Sequence, residues 1–283
     1  MSTATITSSP TFKLGGETII NRLGFGAMQL TGNGVFGEVA DRSNAINVLQ
    51  AAVAGGVNFI DTAEAYGPQL NESLIADALY PYKKGLVIAT KGGFKRPGPG
   101  QWIPNGSPAF IRGNIEGSLQ RLKTTTIDLW QLHRIDPGVP VEKTLAPVVE
   151  AVKAGKIKYV GLSEVDIPQI EQVRKILPVA SVQNLYNLGN RKWEPVLDYT
   201  AKEGLAFIPW YPLASGPDTL AAKINHIAEK HKATTAQIAL AWLLKRSSNI
   251  LLIPGTKSLD HLQENLGATD IELSDADFEA LSN

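Results

Sequence analysis

Residues 43–63 read SNAINVLQAAVAGGVNFIDTA. The first half places Ile46, Leu49, Ala52 and Val53 on one helical face, the spacing of an amphipathic helix that buries one stripe. Gly55-Gly56 ends that helix, since glycine enters the left-handed conformation of a helix C-terminus without a Cβ clash. The run that follows, NFIDTA, is short, apolar and broken by one carboxylate, as a buried parallel strand would be. Helix, glycine stop and apolar strand make one step of a βα alternation.

The same step repeats in both directions. Candidate strands are LGFGAM (23–28), NFIDTA (58–63), LVIATKG (86–92), IDLWQLH (127–133), IKYVGLS (157–163), SVQNLY (181–186), LAFIPWYPL (205–213) and ILLIPG (250–255). Eight βα units favour a closed (β/α)8 TIM barrel over an open doubly wound sheet, because closure at eight strands leaves an interior that side chains can fill. No GxGxxG follows the first strand, which argues against a Rossmann domain. Before the barrel, TFKLGGETII (11–20) reads as an N-terminal β-hairpin closed by a two-residue Gly15-Gly16 turn. Residues 1–10 read as a disordered N-terminus. Residues 11–283 contain no Pro/Gly/Ser linker and read as a single barrel domain.

Composition narrows the partner. Lys plus Arg and Asp plus Glu are each 27, so no net field favours nucleic acid or an anionic membrane, and a small molecule is the expected ligand. The absence of cysteine excludes disulfides, thiolate metal sites and a cysteine nucleophile. The start, MSTATITSSP, lacks the basic and apolar regions of a signal peptide, and no segment approaches the roughly 20 apolar residues of a membrane span. A cytoplasmic monomer is expected.

In this fold the active site forms at the C-terminal ends of the strands. Asp61 ends NFID, Lys91 ends VIATK, His133 ends WQLH, Ser163 ends VGLS, and Gln183 lies within SVQNLY. Asp61 and Lys91 come from adjacent strands, and pairing is the simplest way to bury both charges. A purely structural ion pair at the barrel end would use the same two residues. Tyr66, five residues after Asp61, can place its phenol near Lys91, whose charge is expected to pull the phenol pKa down from about 10 toward neutrality and suit it to general acid catalysis. His133 is positioned to donate a hydrogen bond to a carbonyl oxygen; a lone histidine is otherwise an ordinary core residue.

This set, carried by GVNFIDTAEAYG, ATKGG and DLWQLHR, resembles the catalytic tetrad of the aldo-keto reductase family. GKIKYVGLSE, SVQNLYN, IPWYPLASG and IPGTKSLDHLQEN resemble further family segments in family order, so the likeness runs from Phe12 through nearly the whole chain. The resemblance implies an NADPH-dependent oxidoreductase that reduces aldehydes or ketones, with the cofactor extended across the C-terminal mouth and Tyr66 as general acid. It implies that Ser163 and Gln183 hold the nicotinamide carboxamide and that Trp210 stacks on its ring. It further implies that Leu213 and Ser215 wrap the pyrophosphate, that Gly255, Thr256, Lys257, Ser258 and His261 surround the 2′-phosphate, and that Glu264 and Asn265 meet the adenine.

Four positions depart from the pattern. Trp210 stands where tyrosine is more usual and Glu164, beside the nicotinamide, where asparagine is usual, while Gly255 and His261 replace basic residues, leaving Lys257 as the main cation for a 2′-phosphate. NADH is therefore the second choice of cofactor. Substrate specificity is expected from Met28 and Gln29 and from the stretch GFKRPGPGQWIPNGSP (93–108), with Trp102 a wall of the pocket, and the Pro/Gly-rich segment 96–108 reads equally as a lid or as a solvent loop. Two other activities fit the strand-end residues: a Schiff-base aldolase or lyase using Lys91, and a non-catalytic, cofactor-sensing barrel.

Overall fold

The computed structural model describes residue 6, residues 10–213 and residues 218–283, with the backbone alone at 218 and 219. The disorder expected for residues 1–10 concerns mainly 1–5 and 7–9 and lies, like Ser215, outside the described residues.

The chain opens with an antiparallel hairpin of β1 (Thr11–Leu14) and β2 (Thr18–Asn21). Its loop has three residues, one more than expected: Leu14 pairs with Thr18, and Gly15 and Gly16 take φ of 59° and 80°. The longer loop sets which residues share a face. It brings Ile20 to the side of Leu14, and both are fully buried, while Ile19 is 57% exposed; a two-residue turn would have exchanged the two isoleucines.

The barrel strands are β3 (Phe25–Gly26), β4 (Phe59–Asp61) and β5 (Val87–Gly92), then, after a small ladder of β6 (Phe94–Lys95) and β7 (Ile103–Pro104), β8 (Ile127–Leu132), β9 (Ile157–Ser163), β10 (Ser181–Gln183) and β11 (Ala206–Phe207). The seven form one parallel sheet in the order β11-β10-β9-β8-β5-β4-β3. The eighth expected strand is present as a connection rather than a ladder. Leu252 bridges Leu23 and Ile250 bridges Phe207, and the Gly26 N–H reaches the carbonyl of Pro254, so this segment closes the sheet into a barrel. Prolines explain why the last strands are shorter than their apolar runs: Pro209 and Pro254 have no N–H to continue a ladder. SVQNLY stops at Gln183 because the Asn184 side chain turns to hydrogen-bond both the N–H and the C=O of Val165.

Inward and outward residues alternate along every strand, and two apolar clusters result. The inner one holds Phe59, Val87, Ala89, Leu129, Ala206, Ile208 and Leu251, plugged from below by Leu14 and Ile20 of the hairpin. The outer one holds Ile60, Ile88, Trp130, Leu162, Val182 and Phe207 against the helices. The helix at Arg42–Ala54 buries Ala45, Val48, Leu49 and Ala52; Ile46 and Val53, expected on the same face, flank it half-buried. The stripe is rotated because the helix packs on two neighbours at once, the helices Leu70–Leu79 and Leu259–Leu266.

Candidate active site

Continuing the inner rows upward leads from hydrocarbon to charge. Two residues beyond Phe59 stands Asp61, two beyond Ala89 stands Lys91, and two and four beyond Leu129 stand Gln131 and His133. Ser181 is followed in the same way by Gln183, and Ile208 by Trp210. The polar groups therefore converge above a dry floor.

Lys91 is fully buried and uses all three ammonium hydrogens: 2.5 Å to Asp61 Oδ1, 2.9 Å to the Thr62 carbonyl and 3.3 Å to Tyr66 Oη. The other Asp61 oxygen accepts from Gln183 Nε2 at 2.9 Å and Gln131 Nε2 at 3.1 Å. Such complete pairing is what makes a buried ion pair tolerable. Tyr66 arrives from the loop after β4, where Gly67 takes φ of 100° and a Cβ would come within 2.8 Å of Leu70. Its ring meets His133 edge-on at 5.9 Å and Trp102 at 6.4 Å.

Electrostatics in this enclosed place depart from the sequence expectation. The Tyr66 phenol is raised above its ordinary pKa, not lowered: burial pushes it up, the Asp61 charge adds to that, and the Lys91 charge opposes without prevailing. Burial alone would lower Lys91, but the charges of Asp61 and Tyr66 and their hydrogen bonds outweigh it, so the ammonium is held above its usual range. His133 is driven well below its ordinary value by burial and by the positive charges of Lys91, Arg134 and Arg96, so its imidazole is neutral. Its Nδ1 is buried with no partner.

These groups open into a cavity of about 650 Å³, within the range of small-molecule sites. Of the residues expected around it, Asp61, Tyr66, His133, Ser163, Gln183, Trp210, Met28, Trp102, Leu213 and Gly255 line it, and Lys91 lies behind Asp61 and Tyr66. Thr256, Lys257, Ser258, His261, Glu264 and Asn265 do not line it. They continue from Gly255 into the helix Leu259–Leu266, capped by Ser258, with Lys257 and His261 exposed and Asn265 buried. Asn44 ties this turn down by donating to the Lys257 carbonyl at 2.7 Å. At Gly255 the structure supplies a packing reason: a Cβ there would come within 2.5 Å of the Gly26 carbonyl at the barrel seam. Glu164, expected beside the nicotinamide, turns its carboxylate to Trp210 Nε1 at 2.7 Å, Trp193 Nε1 at 3.3 Å and the Leu185 N–H.

Two residues of the site, Gln131 and Arg134, escaped the sequence reading, and a third, Phe94, is covered only by the loop stretch 93–108. Gln131 precedes His133 by two and so shares its inward row, a signal that strand alternation carries. Phe94 packs against His133 at 4.7 Å from a short ladder with no clear sequence mark. Arg134 lines the cavity and donates through one nitrogen to Ser163 Oγ and the His133 carbonyl. The segment 96–108 is pinned over the mouth by Arg96, which donates to the carbonyls of Ala65, Gly34 and Gln101 and stacks 3.5 Å from the Trp102 ring centroid. Among the described residues no cluster of metal-ligating side chains occurs, and no helix is long and apolar enough to cross a membrane.

The barrel, its hairpin plug and this set of strand-end residues define a class of reductase. The chain belongs to the aldo/keto reductase family, whose family model matches residues 22–283. It is 48% identical over 270 residues to an uncharacterized oxidoreductase of Schizosaccharomyces pombe, covering 94% of this chain and 87% of that one. It is 42% identical over 274 residues to pyridoxine 4-dehydrogenase of Escherichia coli K12, covering 95% and 96%. An aldo/keto reductase from Klebsiella pneumoniae, solved with NADP and acetate, matches the fold with a TM-score of 0.83 at 26% identity, over 97% of this chain and 94% of that one.

Proposed function

We propose that this protein, folded as a single domain over residues 11–283, is an NADPH-dependent carbonyl reductase that converts aldehydes or ketones to alcohols. The observation that carries the reading is the hydrogen-bonded series Asp61–Lys91–Tyr66 at the wall of the cavity, beside a neutral His133.

The residues present suit a nicotinamide. Gln183 spends its amide hydrogens on Asp61 and Gln131 and keeps its carbonyl oxygen for an N–H donor, while Ser163 accepts from Arg134 and keeps its hydroxyl hydrogen to give. One acceptor and one donor complement a carboxamide. Trp210 offers a flat wall, and exposed Lys257 beside the N-terminus of helix Leu259–Leu266 suits the 2′-phosphate of NADPH. When bound, the nicotinamide supplies the hydride.

The chain's own residues do the rest. His133, uncharged, donates a hydrogen bond to the substrate oxygen and orients it. Tyr66, protonated at neutral pH because burial raises its pKa, delivers its proton to that oxygen as negative charge develops there. The phenolate left behind faces the Lys91 ammonium, and Asp61 keeps that ammonium charged. Lys91, with every hydrogen engaged and its pKa raised, is ill suited to the Schiff-base alternative, which needs a free amine.

Aromatic side chains wall the substrate side: Phe94, Trp102, His133 and, at the rim, Tyr211. With a relative named pyridoxine 4-dehydrogenase, this supports ring-bearing aldehydes, pyridoxal first, as substrates. The test is loss of NADPH absorbance with pyridoxal, benzaldehyde, an aliphatic aldehyde and a diketone, with NADH in parallel. Consumption with an aldehyde supports the reading; binding without turnover on any carbonyl would favour a cofactor-sensing barrel.

A further inference from the structure

We propose that Glu164 is a positioning residue whose carboxylate fixes and polarises the Trp210 indole, so that this wall of the cavity favours the oxidised, cationic nicotinamide over the reduced, neutral one. The inference rests on the reductase reading and extends it to the redox state of the cofactor.

The geometry is specific. Glu164 directly follows Ser163 but turns away from the cavity, and its Oε1 accepts from Trp210 Nε1 at 2.7 Å. The Leu185 N–H shares that oxygen, and Trp193 Nε1 approaches Oε2 at 3.3 Å. Of the two indoles, only that of Trp210 lines the cavity. Trp210 is held at its backbone as well, through its N–H to the Asn184 carbonyl, so the Glu164 contact fixes the remaining freedom of the ring.

Backbone preference does not account for a glutamate here. Glu164 has φ of 54°, in the left-handed region that asparagine enters more readily than glutamate. What the glutamate adds is a charged acceptor. A hydrogen bond to a carboxylate is stronger than one to a neutral amide, and it pushes electron density into the indole. A ring with a more negative face attracts a cation placed over it, whereas a neutral ring gains little. Arg134 feels the charge of this carboxylate. It forms no ion pair with Glu164 and spends its one hydrogen-bonding nitrogen on Ser163 and the His133 carbonyl. The two departures at 164 and 210 are thus one contact: the carboxylate is where the indole N–H needs it.

The test is direct titration of NADP+ and of NADPH, by calorimetry, into wild type, Glu164→Gln, Glu164→Asn, Trp210→Phe and the double variant Glu164→Asn/Trp210→Phe, with thermal unfolding as the check on folding. Removing the charge should weaken NADP+ by about two- to fivefold, the scale of a cation over an aromatic face, and weaken NADPH much less. Glu164→Gln, which keeps the length and an acceptor, should shift the ratio of the two Kd values in the same direction. In the Trp210→Phe background, which keeps a flat ring but lacks the N–H, Glu164→Asn should leave that ratio unchanged. An unaltered ratio in both single Glu164 variants overturns the proposal. So does an equal shift with Trp210→Phe present, which would place the effect outside the indole, in the carboxylate's direct attraction for the cation or in its Leu185 and Trp193 contacts. If wild type binds neither nucleotide, the reductase reading falls and this inference with it; if wild type binds both and only the ratio is insensitive, this inference alone fails.

Discussion

The lower and upper halves of the barrel interior are lined by the same rows of the same strands, yet they have opposite chemistry. Below, Phe59, Val87, Ala89 and Leu129 pack with Leu14 and Ile20 of the hairpin into a largely apolar layer, with Ser181 a buried hydroxyl among them. Above, one or two steps along the same strands, Asp61, Lys91, Gln131 and His133 form a hydrogen-bonded assembly with Tyr66 and Gln183. The dry layer excludes water from beneath the charges, and burial is the largest influence on Tyr66, Lys91 and His133 alike. The floor is thus part of the site, although none of its residues faces the cavity.

The sharpest way to separate the halves is at their chemistry. Tyr66→Phe removes one oxygen from the upper half and should lower carbonyl reduction by about 10²- to 10⁴-fold, the scale of a lost general acid, with cofactor affinity retained. Turnover and a binding titration on the same sample decide it, and wild-type turnover would remove Tyr66 from its role. In the lower half, Phe59→Ala should cost about 3–5 kcal/mol of stability in denaturant unfolding while the folded fraction keeps its NADPH affinity. A loss of affinity without a loss of stability would mean that the floor positions the site rather than merely sealing it.

Two pH experiments make the comparison finer. The Lys91 charge lowers the Tyr66 pKa against burial, so Lys91→Met should raise it further. Reduction needs the protonated phenol and is lost as pH rises through its pKa. The basic limb of the rate profile should therefore move to higher pH, with a lower plateau, and a limb moving down would contradict the assignment. The smallest effect expected is at His133. Its folded pKa lies below its unfolded one, so the unfolded state takes up the proton first as pH falls. Stability should then decline below the ordinary histidine range, near pH 6.5, by at most about 1.4 kcal/mol per pH unit from this residue, and His133→Gln should flatten that slope.

Strand and helix order, the barrel, the hairpin and the four central residues were all legible in the chain, because each leaves a local mark: an alternating run, a glycine stop, a charge at a strand end. Gln131 was legible too, two residues before His133, but one polar residue in an apolar run carries little weight until the row it belongs to is known. Phe94 and Arg134 had no such mark, since their places come from a loop ladder and from side-chain direction.

By itself the sequence determined the periodicities, and with them which residues stand at strand ends where charge can gather. Only the tertiary structure decided the hairpin register that buries Ile20 instead of Ile19, the closure of the barrel through isolated bridges, and the partners of each polar group. It also reversed the expected direction at Tyr66 and joined the Glu164 carboxylate to the Trp210 indole. The physical reason is common to all of these. Burial and hydrogen-bond partnership depend on neighbours far apart in the chain, and a pKa or a carboxylate's orientation follows from their sum rather than from any one of them.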